Sequence, residues 1–460
     1  MSTPSSTPSN EPTPETKPGG APRFSAGDLA AAVRSYLTPR GAVMLAFGFY
    51  AGLPFYLIFQ TLSIWLREEE VGRGEIGLFA FVGFAFTLKF VWAPILDRAP
   101  APIFERFVGR RRGWMAVAQA FVALSLLAMS FADPSSNLVY VAVAAVAIAF
   151  SSATQDIAID AWRIEAAGDE EQGMMAAMYQ YGYRIGLITA GTLALVLADA
   201  VSWSFAYQSM ALMMVGVMLV ALFAPKVEAG VYTPPPRMPP MQALKESTIG
   251  PFADFLGRYG LAAIVILSFI AVYRIPDFVM GYMTGPLYVD VGYTKTEIGV
   301  IRGGAGLAAT LFGVFIAGLV VLRLNLLAAL AVGVIAQTTT NLLYSWLAVA
   351  PPEIANLTAA IVVDNIAYGY AGTVLIAYMS SLTNTAFTAT QYALFSSFYA
   401  LPGKFVGGFS GYIVEAIGYF WFFVATALMG LPALVLIVAL RRSERRFAAA
   451  PRAPAEDAAT

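Results

Sequence analysis

L-P-F-Y-L-I-F-Q-T-L-S-I-W-L-R-E-E-E-V-G-R-G-E-I-G, residues 53–77, returns as I-P-D-F-V-M-G-Y-M-T-G-P-L-Y-V-D-V-G-Y-T-K-T-E-I-G, residues 275–299. The shared frame, an apolar residue and Pro, twenty positions, then E-I-G, recurs at an offset of 222 residues without a gap. Each copy closes one apolar run and opens the next, so the chain reads as two halves of one design. Pro54 and Pro276 fall inside corresponding runs, where each is expected to break or kink a helix.

Outward from the repeat, the composition sets the class. Of 460 residues, 58% are hydrophobic and only 12% charged, with a mean hydropathy of +0.68. Soluble domains run at about 45–50% apolar and about 25% charged. The apolar residues fall into twelve runs, roughly 42–66, 75–97, 114–132, 137–163, 172–198, 203–224, 259–289, 295–321, 325–348, 354–384, 390–416 and 420–440. Each is long enough to cross about 30 Å of hydrocarbon, so the expected fold is an all-α membrane protein whose immediate partner is the lipid bilayer. There is no Cys and no His, which excludes disulfides and thiol chemistry and removes the commonest metal ligand and general base. No phosphate-binding loop occurs, and R-G-G-A-G at 302–306 has the glycines of a tight helix contact. An enzyme, a cofactor, a metal site and nucleic-acid binding are therefore not expected. The net charge of −1 averages two opposed distributions and says nothing about partners.

Residues 1–24 are rich in Ser, Thr and Pro and lack the apolar core of a signal peptide, so a disordered tail is expected. Ser25 and Asp28 resemble a capping box, and Leu29, Val33, Tyr36 and Leu37 share one face, which predicts an amphipathic surface helix over 25–40. Two six-helix halves follow, 41–224 and 259–440, joined by a proline-rich polar linker over 225–258 and followed by a tail over 441–460. Arg98, Arg106, Arg110, Arg111 and Arg112 follow the second run, Arg323 the eighth, and Arg441, Arg442, Arg445 and Arg446 the twelfth. The alternate loops carry only Arg67, Arg73 and Lys295, so both termini and the linker are expected in the cytoplasm. Two parallel six-helix repeats point to the major facilitator architecture.

Functional residues are expected where polar groups interrupt the runs. S-S-A-T-Q-D-I-A-I-D-A-W-R-I-E, residues 151–165, places Gln155, Asp156, Asp160, Arg163 and Glu165 in less than four turns. Asp156 and Asp160 are one turn apart on one helix face. An ionised Asp near the bilayer centre costs at least about 2.5–3.5 kcal/mol, so such a pair suits a wet cavity or a proton path. The plainer reading leaves Asp160, Arg163 and Glu165 as a helix end in water. In facilitators, spans one, four, seven and ten line the cavity, and here they hold Tyr56, Gln60 and Thr61; Gln155, Asp156 and Asp160; Arg274 and Asp277; and Asp364, Asn365, Tyr368, Tyr378 and Asn384. Arg274 and Asp277 fit a structural ion pair as well as a substrate contact. Lys89, Arg184, Arg302 and Lys404 are lone cations, the last two expected to snorkel to an interface and the first two to lie deeper. Arg184 and its neighbour Tyr179 fit a sugar-facing surface or plain packing.

A-P-I-L-D-R and G-R-R-R, within 93–112, resemble the facilitator loop G-x-L-A-D-R-x-G-R-R, with Ala93 in place of Gly and about ten residues, 99–108, inserted. The resemblance implies a latch at the helix ends made by Asp97 and Arg98, with Arg110 and Arg111. G-L-P in span one, E-I-G-L-F, T-L-K-F-V-W-A-P-I-L-D-R, G-R-R-R-G-W, the 151–165 segment, Y-G-Y-R-I-G and D-N-I-A-Y-G-Y together resemble the AmpG-type anhydromuropeptide permeases. Trp162 stands where that pattern has Tyr. The resemblance implies import of N-acetylglucosaminyl-1,6-anhydro-N-acetylmuramyl peptides across the bacterial inner membrane, driven by protons. Asp156 and Asp160, then Asp364, would carry the proton. Tyr56, Gln60, Lys89, Gln155, Tyr179, Arg184, Arg274, Asp277, Asn365 and Tyr378 would meet the muropeptide. The acetyl-CoA transporters share the Q-D-I-A-x-D element and are the rival carrier, and a non-transporting membrane sensor is the rival of another class.

Overall fold

A computed structural model describes residues 38–166, 169–225, 253–382 and 388–449, and the side chains of Asp97 and Arg98 fall outside that description. So do the tail over 1–24, most of the surface helix over 25–40, most of the linker over 225–258, and residues 450–460.

The described chain folds as twelve helical spans, and ten helices among the described residues are long and apolar enough to cross a membrane. The twelve are α1 (Pro39–Glu68), α2 (73–98), α3 (Arg110–Met129), α4 (Leu138–Ala166), α5 (169–200), α6 (Trp203–Phe223), α7 (Ala262–Val291), α8 (295–323), α9 (Leu326–Leu347), α10 (Ile354–Leu382), α11 (388–417) and α12 (419–449). Thr38 caps α1 by accepting from Gly41 N at 3.1 Å, with Pro39 in the first turn, where a missing N–H costs nothing. Gly418 adopts φ +76°, a conformation glycine takes without strain, and this turn separates α11 from α12. The last helix runs on to Ala449, so residues 441–449 extend α12 instead of beginning the tail.

The two repeat prolines act differently. Pro276 sits in the first turn of Ile275–Val291, and the helix before it ends at Arg274, with φ −106° and ψ 2°. Pro54 stays inside the continuous helix Pro39–Tyr56, and a π turn at Leu57–Thr61 follows it. Span α2 is the irregular one. It breaks into Arg73–Leu78, Phe79–Gly83, Phe84–Thr87, Lys89–Val91 and Ala93–Arg98. Pro94 lacks the N–H that would join its helix to the preceding turn.

Buried apolar residues form three cores. One joins both halves and contains Leu53, Leu62, Trp65 and Leu195 with Met283, Leu287, Tyr288 and Phe422. The other two stay within one half each, around Met44, Phe47, Met115 and Trp162, and around Phe269, Tyr273, Leu330 and Tyr370. The halves therefore pack together at the end that carries Glu68. Toward the opposite end, which carries Glu165, each half has its own core. Phe121, Val143, Leu212, Leu311 and Phe315 remain exposed on helix faces, the surface a bilayer covers.

Charges clasp the joined end. Glu68 of the first half meets Lys295 of the second at 2.5 Å, and Asp290 of the second meets Arg73 of the first at 2.8 Å. Glu68 and Asp290 are repeat equivalents, 222 residues apart, and so are Arg73 and Lys295. Arg67 and Tyr419 also donate to Asp290, at 2.5 and 2.7 Å, and Lys295 lies 3.9 Å from Asp199.

Candidate functional site

Three polar clusters lie between the halves. In the first, α4 presents Asp156 and Asp160 on one face, and the broken span α2 brings Lys89 to them. Its Nζ lies 3.6 Å from Asp156 Oδ2 and 3.9 Å from Asp160 Oδ2. The break is held by Trp92, whose Nε1 donates to Thr154 Oγ1 at 3.1 Å and whose ring stacks on Phe150 at 4.7 Å. Arg163 stands 3.9 Å from the other oxygen of Asp160, a side chain 47% exposed. Among the described residues, Asp156 Oδ1 and both amide atoms of the fully buried Gln155 have no hydrogen-bond partner. Each such group destabilises by about 1–3 kcal/mol, so this stretch of α4 is held for something other than stability.

The second cluster belongs to the other half. The break at Arg274 sets its guanidinium 3.0 Å from Asp277 and 4.5 Å over the Tyr368 ring. Gln337 donates to the same Asp277 oxygen. Asp364 accepts from Thr340 at 3.2 Å and from Tyr344 at 3.3 Å, and the Tyr344 hydroxyl meets that of Tyr288 at 3.1 Å. Thr310 donates to Asn365 Oδ1 at 2.9 Å.

The third cluster crosses the midline. Arg302 Nη1 donates to Gln60 Oε1 at 2.7 Å, and its guanidinium lies 5.7 Å from the Tyr56 ring centre. Gln60 in turn donates to Gly281 O at 3.4 Å. Three π turns flank this contact, at Leu57–Thr61, Thr189–Leu193 and Arg302–Gly306. Neighbouring helices bond to backbone carbonyls in or beside them: Tyr207 donates to Leu57 O at 2.9 Å, Thr61 to Ala190 O at 2.8 Å and Thr192 to Gly299 O at 2.8 Å. Polar side chains from spans of both halves, several of them partly exposed, thus gather in three clusters along the spans.

The Major Facilitator Superfamily model matches residues 41–408. The anhydromuropeptide permease of Escherichia coli K12 is 35% identical over 413 residues, covering 89% of this chain and 82% of that protein. This chain belongs to the major facilitator superfamily, among the AmpG-type permeases. A transporter of Rickettsia conorii named AmpG 4 is 32% identical, covering 85% of this chain and 94% of its own. Among solved structures, the fold is shared with a bacterial homologue of the human lysosomal transporter Spinster in an inward-facing, unoccupied conformation, with a TM-score of 0.67 at 13% identity, covering 91% of this chain and all of that one. It is shared also with a D-xylose-proton symporter, with a TM-score of 0.61 at 16% identity over 87% of this chain and 97% of that one.

Within this facilitator, Lys89, Asp156 and Asp160 come together, with Gln155 buried beside them, as do Arg274 and Asp277. Tyr56 and Gln60 gather at Arg302. Tyr179 stacks on Tyr183 at 6.3 Å, and Arg184 is exposed on α5. Tyr378 is only 5% exposed and packs edge-on against Phe269. Asp364 and Asn365 sit in the second half's network. The latch expected of Asp97 and Arg98 lies outside the described side chains. Arg110 has its Nε buried without a hydrogen-bond partner among the described residues, and Arg111 bonds Glu165 at 2.6 Å within the first half.

Some expectations fall. Glu165 is 8% exposed and ion-paired, so it is no mere helix end in water. Arg302 and Lys404 do not snorkel. Both reach across to the other half, Lys404 donating to Gly83 O at 2.9 Å and Thr87 Oγ1 at 2.8 Å. Gln337, Thr340 and Tyr344 of span nine join the second cluster without having been expected there. Their spacing at i, i+3 and i+7, with Asn341 at i+4, is a polar stripe on one helix face and was the available signal.

Proposed function

We propose that this chain imports N-acetylglucosaminyl-1,6-anhydro-N-acetylmuramyl peptides across the bacterial inner membrane for cell-wall recycling. Uptake is coupled to protons and proceeds by alternating access between the two halves. The substrate class is supported by the 35% identity to an anhydromuropeptide permease over most of both chains. Proton coupling is supported by Asp156 and Asp160 beside Lys89 within the spans. In a chain without His or Cys, carboxylates are the groups fitted to carry a proton at neutral pH. Asp156 and Asp160 take up the proton from the periplasmic side and release it to the cytosol, with Asp364 as a second carrier.

With the positive loops in the cytoplasm, the Glu68 end is periplasmic and the Glu165 end cytoplasmic. The joined core and the clasp then close the periplasmic side, and the molecule stands inward-open. Tyr56, Gln60, Gln155, Tyr179, Arg184, Asn365 and Tyr378 are the proposed substrate contacts, and Asp97, Arg98, Arg110 and Arg111 serve the cytoplasmic latch.

The test is uptake of labelled anhydromuropeptide into proteoliposomes. An inward pH gradient should drive accumulation above the external concentration, and collapsing it should return uptake to equilibration. Accumulation that ignores the gradient removes the proton coupling, and no uptake at all removes the substrate.

A further inference from the structure

We propose that Arg302 is the anchor for a carboxylate of the transported substrate, with Gln60 as the group that displaces it. This rests on the muropeptide reading above.

Three other cations within the spans have partners, and a fourth, Arg184, is exposed on α5. Lys89 has Asp156 and Asp160, and Arg274 has Asp277, each within its own half. Lys404 is 8% exposed and enclosed by two neutral oxygens. Arg302 differs. Among the described residues no carboxylate lies within ion-pair reach of it, and its side-chain partners are neutral, the amide of Gln60 and the hydroxyl of Tyr56. The residue is partly exposed at a π turn, next to the Tyr56 ring. A guanidinium carries five N–H donors in a planar fork that matches a carboxylate, and a cation held away from bulk water is stabilised by an anion far more than by an amide.

Gln60 belongs to the opposite half, so opening the periplasmic end draws it away from Arg302 and leaves the fork free for the carboxylate of an entering muropeptide. Closure returns Gln60 as a competitor while the cytoplasmic side opens. The exchange makes the affinity of one subsite depend on which side is open, so that the carboxylate is held less tightly once the cytoplasmic side opens.

The measurement is binding to the purified full-length protein of two probes: an anhydromuropeptide with free carboxylates, and the same molecule with its carboxylates converted to primary amides. Wild type should favour the acid form by about ten- to a hundredfold, the range of a charge-assisted pair. Arg302→Gln should bring the two within about threefold while retaining the amide form, whose binding also reports that the variant is folded. Gln60→Glu should do the same with Arg302 intact, because it supplies a resident carboxylate, and Arg302→Lys should keep part of the preference. An Arg302→Gln protein that still prefers the acid form as wild type does overturns the anchor and leaves the transported substrate standing. Wild type that binds neither probe overturns the muropeptide reading and the anchor with it.

Discussion

Asp156 holds one carboxylate oxygen toward Lys89 and buries the other without a donor, an arrangement that Asn would satisfy no worse. Asp156→Asn should therefore leave the fold intact and remove only the titratable proton. Gradient-driven accumulation should fall to equilibration, while exchange of labelled for unlabelled substrate continues. The same is expected of Asp160→Asn. If both variants still concentrate substrate, the proton path runs through Asp364. The carboxylate pair was legible because i, i+4 spacing on a helix is a local fact. Lys89 as their partner was not, because the break at residues 88–92 that delivers it follows from Pro94 and from Trp92 docking on another helix.

At the scale of elements, hydropathy located the spans and the first repeat proline misled, since Pro54 lies inside a helix that runs unbroken over Pro39–Tyr56. One close helix contact was also hidden. Gly48 and Gly52 on α1 face Gly182 and Gly186 on α5, both with small-xxx-small spacing. A Cβ at Gly182 would come 1.9 Å from Leu45 O, and one at Gly48 would come 2.0 Å from Tyr179 O. The spacing is visible in the sequence, but the choice of partner helix is tertiary. Gly182→Ala must push the two helices apart, with a loss of about 1–3 kcal/mol and a lower midpoint of thermal unfolding in detergent. Gly216→Ala on α6, where a Cβ meets nothing within 4 Å, should hold or raise that midpoint. Equal behaviour of the two would mean that α1 and α5 pack more loosely than described.

For the whole molecule, the repeat announced two equivalent halves without saying how they meet. They meet by exchange: the acid that ends the first span of each half pairs with the base that opens the second span of the other, Glu68 with Lys295 and Asp290 with Arg73. Acid and base are visible at both offsets in the sequence, yet a pair within each half would have fitted the same letters. These side chains are partly exposed, so each bridge contributes at most about 1 kcal/mol, and the clasp acts as a network. Asp290 is its centre, accepting from Arg67, Arg73 and Tyr419. Asp290→Asn leaves two arginines side by side and should shift the population toward the outward-open state. The absence of native cysteine allows a direct reading with Ser63→Cys, a site 8% exposed that packs against Gly285 of the other half. Labelling by a membrane-impermeant maleimide from the periplasmic side should speed up by about tenfold in Asp290→Asn, as expected for a loss near 1.4 kcal/mol. Glu68→Lys alone should act in the same direction, and adding Lys295→Glu should restore slow labelling, because the reversed pair closes the same bridge. Labelling unchanged by either single substitution would assign periplasmic closure to the shared apolar core around Leu62, Met283 and Leu287, and would leave the exchanged charges as a surface feature.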